Sequence, residues 1–164
     1  MSKRIDVAVI APVIGTLYPP PYDLPCRTRE RRRLGDAAGL TQFGVNLLRL
    51  APGSWSSQRH WHSHEEEFVY VLAGVVTLVS NDGEEELRAG DAAGFKAGEA
   101  NGHTLQNRSA AEVVVLEIGS RNETQDSATY PDIDLRAPAG GKPARYTHRD
   151  GTPYSNVERR ALPG

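Results

Sequence analysis

An all-β fold, a sandwich or barrel of short strands, is what this sequence predicts. Three observations predict it. Short runs rich in β-branched and aromatic residues recur between positions 41 and 120, and Gly, Pro, Asn and Asp punctuate them. No long stretch of 3.6-residue periodicity competes, and no long-period repeat suggests a solenoid.

The strands follow in order. Residues 42–50 are largely apolar and stop at Pro52-Gly53. Residues 68–72 stop at Gly74, and residues 75–79 run into Asn81-Asp82-Gly83, a hairpin-type turn. Residues 84–88 lead to Gly90-Asp91, and residues 113–118 close the zone. Parity along residues 67–72 puts Val69 and Val71 on the face of Glu67, and Phe68, Tyr70 and Leu72 on the other. Residues 113–118 divide in the same way, with Val113, Val115 and Glu117 opposite Val114, Leu116 and Ile118. Both faces are apolar, so the outer one is expected to be covered by the flanking segments or by a second subunit. Trp61 belongs to that outer surface by parity, and a homodimer is favoured.

Composition divides the 164 residues into an N-terminal arm (1–40), a strand-rich barrel (41–120) and a C-terminal arm (121–164). Pro19-Pro20-Pro21 and Pro25 keep the first segment from being a helix interior or a central strand. The net charge of −2 gives no global attraction to nucleic acid or an anionic membrane, and neither partner is expected. No apolar run approaches the length of a membrane span. Asp6, Pro12 and Gly15 break up the start, so no cleaved leader is expected. Cys26 is the one cysteine, which favours a reducing, cytoplasmic setting.

The chemistry-bearing set is His60-x-His62, then Glu67, then the distant His103. Residues at i and i+2 of a strand share a face, so His60 and His62 can grip one ion from one strand. Glu67 can arrive from the following strand and His103 from a remote one. Three imidazoles and a carboxylate suit a divalent transition metal (Fe, Mn, Ni, Co, Cu or Zn) and do not choose among them.

These residues carry a resemblance to the cupin superfamily. Gly53-SWSSQR-His60-W-His62-SHEE-Glu67-FVYVLA-Gly74 is similar to the first cupin motif, with one extra residue after the first glycine. Gly90-DAAGF-Lys96-A-Gly98-EAN-Gly102-His103-TLQ-Asn107 is similar to the second. Lys96 stands where proline is usual, and the spacer before His103 is longer by two. The resemblance covers residues 41–120. It implies a double-stranded β-helix, the jelly-roll cupin barrel, holding a metal through His60, His62, Glu67 and His103. His64 offers an alternative ligand set with His62 and Glu67, but the four-residue gap from His62 to Glu67 fits the family.

The resemblance also frames the functional expectations. The first is a metal-dependent enzyme on a small polar or anionic substrate, with dioxygenation foremost because three histidines and one carboxylate are typical there. The alternatives are a cupin sugar or sugar-phosphate isomerase or epimerase, and a non-catalytic metal- or small-ligand-binding module. Gln58, on the parity of His60, and Arg49, before the Pro52-Gly53 corner, are candidate substrate contacts. No dedicated catalytic acid or base stands out. Glu65 and Glu66 read as a solvated run or as hydrogen-bond partners of a ligand imidazole. The arginine-rich segment 27–33 reads as an exposed arm, and His148 as a surface residue.

Overall fold

Alternation along the strands decides the architecture. In the computed structural model, which describes residues 4–140 and 145–162, every strand pairing is antiparallel. The remaining residues of the two flanking segments (1–3, 141–144 and 163–164) lie outside the described residues. The elements are β1 (Val13–Ile14), β2 (Glu30–Arg33), α1 (Leu34–Ala38), β3 (Phe43–Leu50), β4 (Trp61–His62) and β5 (Glu67–Ala73). They continue as β6 (Val75–Ser80), β7 (Gly83–Arg88), β8 (Ala92–Phe95), β9 (Thr104–Gln106), β10 (Val113–Ser120), β11 (Ala128–Tyr130) and β12 (Leu135–Ala137).

A six-stranded sheet, ordered β1-β2-β3-β10-β5-β8, forms one wall, and β7-β6-β9 the other. Leu48 and Leu50 of β3, Val69 and Val71 of β5, and Val113 and Val115 of β10 point inward from the first sheet. They meet Val76 of β6, Leu87 of β7 and Leu105 of β9. Burying each such aliphatic side chain contributes about 1.5–3 kcal/mol before entropy is subtracted. The result is the all-β jelly roll that the motifs implied.

The hairpin between β6 and β7 turns on Asn81-Asp82, with Ser80 opposite Gly83. Gly74 makes the tight step from β5 to β6 at φ 83°, and an added Cβ would stand 2.8 Å from the Glu112 carbonyl oxygen. Only glycine fits there without strain. Asn107, the last residue of the second motif, is buried and donates to the Leu50 and Ala111 carbonyls at 2.8 and 2.7 Å. It ties the strand corners together.

The flanking segments do more than drape the barrel. β1 and β2 extend the large sheet past β3. β11 and β12, from beyond position 120, form a third sheet with β4. Tyr18 and Cys26 from one flank pack with Ala128, Tyr130 and Leu135 from the other as a second apolar cluster. The outer face of β5 receives no such cover: Phe68, Tyr70 and Leu72 remain 42, 38 and 46 % exposed. Among the described residues, then, the flanks do not provide the expected covering of that face. Trp61 pairs with Thr129 and is half-buried. No helix among the described residues is long and apolar enough to cross a membrane.

Candidate metal centre

β4 carries His62, with His60 just before it, β5 opens on Glu67, and His103 immediately precedes β9. An isolated antiparallel bridge between His60 and His103, with backbone bonds of 3.1 and 2.8 Å, pins two of these ligands to each other. The Nε2 atoms of His60, His62 and His103 stand 3.6, 3.8 and 2.8 Å from one oxygen, Oε2 of Glu67. The four side chains expected to converge therefore do so.

That oxygen is buried and has no hydrogen-bond partner of acceptable geometry. An unsatisfied buried polar atom costs about 1–3 kcal/mol, and more when it is charged. The ligand atoms of His60, His62 and Glu67 lie within 4.8 Å of one another, close enough to share one cation, and His103 stands beside Glu67. The residues thus fit a divalent transition metal.

Two of the three rings, His60 and His62, are held in the binding tautomer. His60 Nδ1–H donates to the Gln58 carbonyl at 2.9 Å, and His62 Nδ1–H donates to Asp126 Oδ2 at 2.6 Å. Each bond fixes the proton on Nδ1 and leaves the Nε2 lone pair facing Glu67. Phe95 stacks on His103, with ring centroids 3.5 Å apart and planes within 5°. His60 lies against Tyr130 at 5.5 Å.

The electrostatics of His60 agree with that assignment. Burial pushes His60 down to about 3, and the attraction of Glu67 does not offset it, so the ring is neutral. Burial alone would raise Glu67, but the close His103 nitrogen and the neighbouring His60 and His62 rings hold it well below the usual carboxylate range. For His62, burial lowers and the Asp126 hydrogen bond raises, and the net direction is upward. Asp126 is held low: burial opposes, but the His62 bond and the N–H groups of His64 and Glu65 prevail.

Two cavities meet at the ligand set. One, of about 440 Å³, is lined by His60, Glu67 and His103 and extends under β2 and β3 to Arg29, Arg31 and Arg33. The other, of about 220 Å³, reaches His62, Glu67 and His103 from the side of Glu85 and Glu99. Glu65 lines both, and its Oε1 accepts the Asn122 N–H at 2.6 Å. Burial raises its pKa.

Not every candidate arrives here. Arg49 lies on the outer face of β3, because Leu48 and Leu50 claim the inner one, and it pairs with Glu112 instead. Gln58 precedes β4 in an irregular stretch where strand parity does not apply; its side chain donates to the Tyr22 carbonyl at 2.7 Å. Neither residue lines the cavities at the ligand set. What Gln58 supplies is its backbone oxygen. The His64 ring is exposed and turned to Ser63 at 2.9 Å. Glu66 is exposed, and His148 bonds Asp134 at 2.7 Å, away from the ligands. Asp126 and the inward arginines escaped sequence reasoning. The i, i+2, i+4 spacing of Arg29, Arg31 and Arg33 was the signal that could have found the latter.

Comparison with known proteins adds a family. A family model described as the cupin domain matches residues 46–119. The chain is 40% identical to a crystal structure of a sugar phosphate isomerase of the cupin superfamily from Silicibacter pomeroyi, covering 95% of this chain and 100% of that one, at a TM-score of 0.86. It is 32% identical to a protein named provisionally as a sugar phosphate isomerase from Acidithiobacillus ferrooxidans, covering 84% and 83%, at a TM-score of 0.64. A polyketide cyclase from Streptomyces resistomycificus, at 22% identity, 73% and 80% coverage and a TM-score of 0.58, shares the fold. No curated protein matches the sequence.

Proposed function

The chain belongs to the cupin superfamily, and from that premise we propose that it is a metal-dependent isomerase of a small phosphorylated sugar. The observation that carries the proposal is a single cavity lined by three of the four candidate ligands, His60, Glu67 and His103, and by inward-facing arginines. One wall suits a metal for polyol and carbonyl oxygens, and another suits an anion. The relatives above 30% identity bear the sugar phosphate isomerase name, which supports the same reading. Dioxygenation, the first expectation, gains no comparable support.

When bound, the divalent ion supplies Lewis-acid polarisation of a sugar carbonyl or hydroxyl oxygen. The chain's own residues provide the rest. His60, His62, His103 and Glu67 hold the ion, while Asp126 and the Gln58 carbonyl keep two of the rings turned toward it. Phe95 walls the site on the His103 side, stacked on that ring. Burial keeps the Tyr18 and Tyr146 hydroxyls protonated, and both line the larger cavity as donors for sugar oxygens.

The test is exchange of substrate C–H protons. Protein loaded in turn with Mn, Fe, Co, Ni or Zn is incubated in D2O with aldose and ketose phosphates and followed by NMR. Interconversion with deuterium incorporation, dependent on one metal and abolished in His103→Ala, is the expected result. Binding without exchange under every metal would point to a non-catalytic module, and oxygen uptake to the dioxygenase. The exposed face of Phe43, Phe68, Tyr70 and Leu72 is proposed to pair with a second copy of the chain. A free, buried Cys26 supports a reducing, cytoplasmic setting as part of the same proposal.

A further inference from the structure

The arginine run is the one sequence feature that the metal centre leaves unused. β2 pairs with β3 so that Arg31 lies opposite Leu48 and Arg33 opposite Asn46. Leu48 is fully buried and Asn46 lines the larger cavity, so odd-numbered residues of this strand face inward. Arg29, Arg31 and Arg33 all line that cavity. Arg32, on the opposite face, donates instead to the carbonyls of Val7, Ala8 and Ile10.

Their charges are unequally compensated. Arg31 is clamped by Glu117 through two bonds of 2.6 and 2.8 Å. Arg29 donates only to neutral oxygens, those of Gly15, Thr16 and Ser56, and has no carboxylate partner among the described residues. The carboxylate nearest Arg33 is Asp36 at 3.8 Å, and Asp36 already bonds Arg121. The cavity wall also carries the carboxylates of Asp36, Glu65, Glu67, Glu117 and Glu123, but Arg29 and Arg33 lack the close clamp that Glu117 gives Arg31, and a bound anion would supply one.

The position is informative too. Arg33, Asn46, Glu117 and Val69 form one row across β2, β3, β10 and β5, and Glu67 lies one inward position from Val69. Three strand spacings separate β2 from β5, about 14 Å backbone to backbone. Side chains reaching in from both strands leave room for a ligand whose anionic end and metal-binding oxygens are several atoms apart.

We infer that Arg29 and Arg33 form the subsite for the phosphate group of the ligand, so that the N-terminal flanking segment helps to build the binding site. The inference rests on the isomerase reading for the identity of the ligand, and its test stands apart from turnover. Inorganic phosphate is titrated calorimetrically into the metal-loaded full chain, into Arg33→Met, Arg29→Met and the double variant, and into His103→Ala. Saturable binding to the unaltered chain, weakened at least tenfold in the double variant, partly restored by Arg33→Lys and retained in His103→Ala, is the expected pattern. Equal affinity in the double variant, or binding lost in His103→Ala with the arginines intact, would overturn it, the latter because phosphate would then sit at the metal. Phosphate binding of the expected pattern with no sugar-phosphate turnover would refute the isomerase reading and leave the subsite standing. Metal content and thermal melting of each variant check the fold; the Arg33 side chain is 54 % exposed, so its truncation leaves the core intact.

Discussion

Asp126→Asn probes how the centre is preorganised. In the native chain Oδ2 of Asp126 takes the His62 Nδ1 proton at 2.6 Å, while Oδ1 takes the backbone N–H groups of His64 and Glu65 at 2.8 and 3.1 Å. The amide can keep its carbonyl oxygen on the two backbone groups, so the 63–66 loop retains its path. Its NH2 then faces His62 Nδ1, a donor meeting a donor. The ring must move its proton to Nε2 or rotate, and either change removes the lone pair from the metal. Loss of such an orienting partner costs 10–100-fold in metal affinity, or about 1.4–2.7 kcal/mol. Competition against a chelator of known affinity, with zinc and with manganese, reads this directly. Asp126→Ala should do worse in stability, because two backbone N–H groups also lose their acceptor. Metal affinity of Asp126→Asn within twofold of the unaltered chain would refute the tautomer argument.

Other substitutions separate fold from site. His64→Ala is expected to retain metal stoichiometry, and His60→Ala or His62→Ala to lose most of it, by elemental analysis of tag-free protein. Gly74→Ala should lower stability by about 2 kcal/mol or more, read from the urea midpoint, since it adds left-handed strain to a 2.8 Å contact with the Glu112 carbonyl. Leu48→Ala, at a fully buried position, should cost about 2–5 kcal/mol and leave a cooperative transition. Phe68→Asp with Tyr70→Asp should turn a dimer into a monomer by light scattering at unchanged metal content; an unaltered chain that is monomeric at micromolar concentration would end the pairing proposal.

Much of the barrel was legible because its strands advertise themselves. Alternation in β5 correctly assigned Val69 and Val71 to the core and Phe68 and Tyr70 to the outside. The weaker strands were not legible, each for its own reason. β8 is Ala-Ala-Gly-Phe, which carries little β-branched signal. β9 is Thr-Leu-Gln, whose polar residues are buried because the sheet and the barrel end satisfy them: Thr104 donates to the Ser57 carbonyl at 2.7 Å. β2 is Glu-Arg-Arg-Arg, whose composition describes a solvated arm. Tertiary pairing with β3 overrides that local reading, and the Glu117 carboxylate makes the half-buried Arg31 tolerable.

The site shows the same division more sharply. One rule, that i and i+2 share a strand face, found His60 and His62, and the same rule applies to Arg29, Arg31 and Arg33. It was decisive in the first case because those histidines lie in the strand-rich zone and the resemblance then supplied the barrel around them, and idle in the second because the flank was read as lying outside it. Periodicity says which residues face together; only a partner strand says what they face. Asp126 illustrates the complementary limit, since a lone aspartate beyond position 120 has no periodic signature at all. It reaches His62 because β11 docks on β4, a pairing set by the apolar cluster of Ala128, Tyr130 and Leu135 with Tyr18 and Cys26. The flanks are therefore part of the metal centre's mechanics. A truncation to residues 41–120 would keep all four ligands yet remove Asp126, Tyr130 and every inward arginine of β2. Such a fragment should bind metal at least tenfold more weakly even where it folds, which a four-ligand account of the centre does not predict.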